Sequence, residues 1–141
     1  MKAVFDANVL LAAFLTEGVC AKLLTRARKQ QFNLITCPFI LHEFERILTK
    51  KFSVTKQEKE NALALIAVAA PEIVQPYETP VGACRDKDYN DVLACAVEAA
   101  VDSLVTGDKD LLHLKVFRGI RIITPRDFEM LFDTQMRIPR S

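Results

Sequence analysis

The sequence predicts an α/β domain in three layers, with a central, mostly parallel sheet of about five strands flanked by helices. Short apolar runs such as Lys2-Ala3-Val4-Phe5 and Ser103-Leu104-Val105 alternate with longer amphipathic segments, which is the pattern of strand–helix–strand units. Several of these runs end in a polar residue just before a helix start. The chain has 141 residues, half of them hydrophobic, which suits one domain around one core.

The elements follow in order. Lys2–Asp6 reads as a buried strand that ends in an acid, and Asn8–Leu15 as a helix that is apolar nearly all round. Gly18–Phe32 is amphipathic at helical spacing, with Val19, Leu23, Leu24 and Ala27 inward. Asn33–Thr36 is a second strand, and Pro38 opens a helix to about Lys51. Thr55 with Glu58 forms a capping box for Lys56–Ala70, which Pro71 stops. Glu72–Gln75 is a third strand and Pro76–Gly82 a loop. An alanine-rich helix spans Asp88–Ala100, followed by strands at Asp102–Thr106 and Ile120–Thr124. A last helix runs from Pro125 to near Phe132. One domain over 1–134 and a polar tail over 135–141 are expected.

Lys plus Arg is 19 and Asp plus Glu 18, so the chain has no bulk basic field for nucleic acid, only room for local patches. The start MKAVFD is neither a signal nor a transit peptide, and the longest apolar stretch, Ala62–Ala70, is too short to span a bilayer. A cytoplasmic location is expected, with no membrane partner. Cys20, Cys37, Cys84 and Cys95 lack Cys-x-x-Cys spacing and read as reduced thiols. His42 and His113 adjoin no cysteine, which argues against a zinc site.

Acids stand where these elements meet. In parallel sheets, ligands bind beyond the carboxyl ends of strands near the topological switch point, and Asp6 and Asp108 both occupy such ends. If their strands are neighbours, the two carboxylates are close. Asp6-Ala7-Asn8 alone is a weak pattern, because an acid between strand and helix is common. Thr106-Gly107-Asp108 is more specific: the glycine permits a sharp turn, and Thr106 can orient a nearby carboxylate by a hydrogen bond. Asp110 reads as the cap of a short helix, Leu111–Leu114. At about 100° per residue, Glu43 projects from within the apolar arc of Phe39, Ile40, Phe44, Ile47 and Leu48, while Glu45 points outward and His42 faces away. A carboxylate facing the core is costly unless paired or coordinated; an ion pair to Arg46 or Lys50 is the plain alternative. Asp86, Asp88 and Asp91 crowd one helix start, beyond what capping and the macrodipole need. Asp91 is the preferred ligand, then Asp88, then Asp86.

Asp6, Glu43, Asp91 and Asp108 come from four separate segments. Gathered at one sheet end, they would repel one another without a cation. Mg²⁺ and Mn²⁺ accept carboxylate oxygens, and such centres serve phosphodiester hydrolysis.

Taken in order, VFDANVLLAAF, LHEFERILTKKF, CRDKDYNDVLACA, VDSLVTGDKDLL and IITPRDF resemble a PIN-domain ribonuclease. The branch they most resemble holds toxin components of toxin–antitoxin systems akin to VapC-type toxins. The resemblance covers nearly the whole chain. It implies a PIN-like fold and an Mg²⁺- or Mn²⁺-dependent endoribonuclease with a four-acid centre. Asp6 matches the first acid, Glu43 the helical one and Asp108 that of the Thr-Gly-Asp motif, with Asn8 in support of the first. The third position departs from the pattern: Lys87 replaces the proline after Arg-Asp, and Tyr89 stands where an acid is usual. Asp91, Asp88 and Asn90 remain open there, and Asn90 as the equivalent implies reduced metal affinity or activity. In-line attack by water would leave 5′-phosphate and 3′-hydroxyl ends. The resemblance also implies an RNA substrate, a small antitoxin that covers the cleft, and homodimers, which are frequent in the family.

For RNA phosphates, Arg26, Arg28 and Lys29 cluster on one helix and Lys50 and Lys51 end another, with Arg85 beside the acidic cluster. Solvated helix faces are the plain alternative for the lysines and arginines. Two further functions stay open: a non-catalytic RNA- or protein-binding domain of the same fold, and an aspartyl-phosphate phosphotransfer domain with Asp6 as nucleophile.

Overall fold

In the computed structural model, residues 1–76 and 87–137 are described, without the side chains of 87, 88 and 133–137. The strands are β1 (Lys2–Phe5), β2 (Asn33–Thr36), β3 (Glu72–Ile73), β4 (Ser103–Val105), β5 (Val116–Phe117) and β6 (Ile120–Ile123). They form one sheet in the order β3-β2-β1-β4-β6-β5, parallel except for the β5–β6 pair. The helices are α1 (Ala7–Leu15), α2 (Val19–Arg28), α3 (Pro38–Lys51), α4 (Lys56–Ala69), α5 (Lys87–Glu98), α6 (Lys109–Leu114) and α7 (Pro125–Arg137). From β1 the chain winds outward through β2 and β3, then returns to the other side of β1 as β4. The switch point therefore lies between β1 and β4, whose register pairs Phe5 with Val105.

The core is aromatic on one face of the sheet. Phe5, Phe32, Phe128 and Phe132 meet edge-on or tilted, with ring centroids 5.0–6.0 Å apart. Arg26 closes this cluster. Its guanidinium lies 4.7 Å above the Phe132 ring and binds both oxygens of Glu129, at 2.9 and 2.6 Å, which joins α2 to α7. Three of the cysteines, Cys20, Cys37 and Cys95, are free and buried. Among the described residues no single helix is long and apolar enough to cross a membrane.

Local signals act as the sequence implies at several ends. The Thr55–Glu58 capping box is present in both directions, and Pro38 opens α3. Four expectations need correction. Helix α2 stops at Arg28 rather than Phe32, and buries Cys20 while Val19 stays half-exposed. Helix α6 begins at Lys109, so Asp108 rather than Asp110 is its cap. Helix α7 continues to Arg137, past Phe132 and into the expected tail. Val116–Phe117 forms an unexpected edge strand, hairpinned to β6 through Arg118 and Gly119, both at positive φ. The loop after Pro76 lies outside the described residues.

Candidate active site

The β1–β4 register sets the site. Because Phe5 pairs with Val105, the next residues, Asp6 and Thr106, emerge side by side at the carboxyl ends of central strands. Both are buried, Asp6 at 6% exposure and Thr106 at 0%. Asp6 caps α1: its Oδ1 accepts from the Val9 backbone N–H at 2.9 Å. Its Oδ2 accepts from the Thr106 hydroxyl. The Thr106 Oγ1 in turn accepts from the Asp108 backbone N–H at 3.0 Å. One threonine thus fixes both acids. Asp108 caps α6 through Oδ1, which accepts from the Asp110 N–H at 2.9 Å, and its Oδ2 accepts from the Tyr89 hydroxyl.

Burial pushes the Asp6 carboxyl above the usual carboxylate range. The negative charge of Asp108 adds to this, against the hydrogen bonds from Thr106, Val9 and Asn8. A buried anion beside a second anion favours a cation between them. Gly107 contributes differently from expectation. Positive φ among the described glycines occurs only at Gly119, and a Cβ at Gly107 would meet nothing within 4 Å. The backbone there needs no glycine, and the space above it is open.

A cleft of about 400 Å³ opens beside Asp6. Its walls include Asn8, Phe39, Glu43, Arg46, Lys51 and Tyr89. Glu43 therefore does not face the core. Within its arc Ile40, Phe44 and Leu48 are buried, whereas Phe39, Glu43 and Ile47 form the half-exposed edge that borders the cleft. The Glu43 carboxylate is gripped by Arg46 at 3.1 and 2.9 Å. This guanidinium holds the Glu43 carboxyl below the ordinary range, with smaller help from His42 and Lys50. His42 lies on the exposed face of α3.

Asp91 is not among the residues that line the cleft. Among the described residues no three His, Cys, Asp or Glu side chains lie close enough to hold one metal ion. Asp91 is half-buried and its charge acts on Cys37, ahead of α3. Helix geometry gives the reason: at about 100° per residue, Asp91 is turned some 160° from Tyr89, and it is Tyr89 and Val92 that line the cleft. Asn90 is buried. Arg85, Asp86 and the side chain of Asp88 lie outside the described residues.

The α2 cations are not among the residues that line the cleft. Arg28 and Lys29 lie where α2 leads into the start of β2, at the amino ends of the strands, opposite Asp6 and Asp108. Arg26, close to them, is committed to Glu129. Arg46 and Tyr89 join the site without being expected there from sequence. Arg46 carried a signal in its spacing of three from Glu43, whereas Tyr89 was visible only as a departure from a motif.

Fold and site together define an α/β domain with a buried acid pair and an open, acid-lined cleft at the switch point of a parallel sheet. The oxygen-only donors of Asp6 and Asp108 suit a hard divalent cation, and Glu43 faces the same cleft. A family model described as PIN domain matches residues 2–110. The chain belongs to the PIN domain family. Its fold is also similar to a chain in the crystal structure of VapBC2 from Rickettsia felis bound to a DNA fragment from their promoter. That match has a TM-score of 0.63 and 13% identity, and covers 88% of this chain and 98% of the other. Among curated proteins nothing matches.

Proposed function

We propose that the protein is an Mg²⁺- or Mn²⁺-dependent endoribonuclease, the toxin of a toxin–antitoxin pair that acts in the cytoplasm. PIN domains are generally nucleases. The observation that carries the reading is the Asp6–Thr106–Asp108 array: a buried carboxylate, raised in its affinity for a proton, hydrogen-bonded through one threonine to the segment of a second acid.

In this reading Asp6 and Asp108 hold the cation, with Glu43 and an acid at the start of α5 (Asp86, Asp88 or Asp91) completing the set. When bound, the cation supplies an acidified water and neutralises charge on the phosphoryl oxygens. Thr106 fixes the direction of the Asp6 carboxylate. Tyr89 holds Asp108, and Arg46 holds Glu43 at the cleft wall. The half-buried Phe39 and Ile47 exclude water from one side. A small antitoxin would cover this cleft, and a homodimer suits the family.

The test is cleavage of a structured, end-labelled RNA pool with Mg²⁺, Mn²⁺ or EDTA. Metal-dependent cutting that disappears in Asp6→Asn and in Asp108→Asn supports the reading; cutting that persists in both refutes it. The departures from the motif at Lys87 and Tyr89 favour a second reading, a non-catalytic binding domain. Absence of both cutting and Mn²⁺ binding by calorimetry, in a folded sample, would select it.

A further inference from the structure

The outer face of α3 carries a feature that the catalytic reading leaves unused. His42, Arg46 and Lys50 recur every four residues and so share one stripe. With Glu45 and Thr49 they line a shallow groove of about 360 Å³. Arg46 also lines the acid cleft, as does Lys51, so groove and cleft join at Arg46. The acids on this face are already neutralised, Glu43 by Arg46 at 2.9 Å and Glu45 by Lys59 at 3.2 Å. Lys50 and Lys51 are exposed and form no ion pair among the described residues. A chain of net charge +1 thus concentrates uncompensated cations at the lip of the cleft that holds Asp6.

We propose that this stripe is the track along which an RNA backbone enters the cleft, its phosphates resting on Lys50, Arg46 and Lys51. The proposal rests on the ribonuclease reading above. Residues four apart on a helix are separated by about 6 Å along its axis, of the order of the spacing between neighbouring phosphates in one strand. Arg46 lines both the groove and the cleft, so its positive charge lies where the two join. A polyphosphate backbone fits better than an acidic protein, because the track leads into a cleft already lined by carboxylates. A chain of further carboxylates would meet repulsion at Asp6 and Asp108, whereas a phosphodiester is what those acids would act on with their cation.

The experiment uses the full chain carrying Asp6→Asn, to bind without cutting, and a labelled single-stranded oligoribonucleotide. Fluorescence anisotropy gives Kd across a series of KCl concentrations. Adding Lys50→Gln and Lys51→Gln is expected to reduce the slope of log Kd on log salt by about 1.4, or about 0.7 for each phosphate contact. It is expected to weaken binding about tenfold at moderate salt, and Arg46→Gln weakens it further. Thermal unfolding of each variant confirms that the fold is kept. Arg28→Gln with Lys29→Gln, at the opposite end of the sheet, leaves the slope in place. An unchanged slope in the α3 variant, or an equal fall in the α2 variant, overturns the track. Displacement of RNA by poly-glutamate as readily as by an oligonucleotide of equal charge also overturns it, in favour of an acidic protein. If the protein without substitutions cuts RNA while the α3 variant keeps its slope, the track alone fails. If it neither binds nor cuts RNA, the ribonuclease reading fails and the track with it.

Discussion

Replacing Asp6 by asparagine separates the charge of the site from its geometry. Asparagine caps a helix about as well as aspartate, so the bond from the Val9 N–H is kept. What disappears is a negative charge at 6% exposure beside Asp108. Relief of that burial is worth about 1–3 kcal/mol on the scale of buried polar groups. Against it stands the Thr106 hydroxyl bond, whose loss or reversal costs about 1 kcal/mol. The net expectation is a gain of about 0–2 kcal/mol at neutral pH, or up to roughly 8 °C in Tm for a domain of this size, together with loss of metal-dependent cleavage. The sign of the pH dependence follows from the raised folded-state pKa. Below the unfolded value both states hold the proton, and wild type carries no penalty. As pH rises, the unfolded state releases its proton first, so wild-type stability falls until the folded carboxyl also ionises. The advantage of Asp6→Asn is therefore absent in acid, grows through that window and is constant above it. Urea unfolding of both proteins as a function of pH measures this. A variant less stable at neutral pH, or a difference independent of pH, would refute the argument and make Asp6 principally a cap.

Thr106→Val, nearly isosteric, orphans the Asp6 Oδ2 and the Asp108 N–H together. It is expected to destabilise by about 1–3 kcal/mol, and urea unfolding should show a smaller cost when it is made in the Asp6→Asn background. Arg26→Ala leaves the Glu129 carboxylate, at 10% exposure, with only the exposed Lys22, at 3.1 Å, among the described residues. A loss of about 2–3 kcal/mol is expected, while RNA affinity corrected for the folded fraction is unchanged. Gly107→Ala meets no atom within 4 Å and no left-handed backbone, so Tm should stay within about 2 °C; a fall in cleavage at constant Tm would show that substrate passes over this residue. Calorimetric Mn²⁺ binding should weaken at least tenfold in Asp108→Asn, and equal affinity would remove Asp108 from the cation site.

Much of this molecule is local and therefore legible in its sequence. The alternation of short apolar runs with amphipathic segments specifies an α/β sheet because burial on both faces demands it. The Thr55–Glu58 box and Pro38 mark helix starts by satisfying or dispensing with the same orphan N–H groups. Asp6 and Asp108 were visible as acids at strand ends. The short hairpin at Arg118–Gly119 was not, because an arginine with φ of 49° lacks the Asn-Gly signature of such turns. The tertiary structure decided the rest. Strand order made β1 and β4 neighbours, and only that register brings Thr106 onto Asp6. The direction in which α3 lies against the sheet turned Glu43 from an apparently core-facing acid into a cleft-wall residue gripped by Arg46. Helical phase put Tyr89 on the side of α5 that meets Asp108. Chain direction carried the α2 cations to the far end of the sheet, and Arg26 to Glu129. A sequence determines which residues share a face; which faces meet depends on contacts between residues distant in the chain, and no local spacing encodes those.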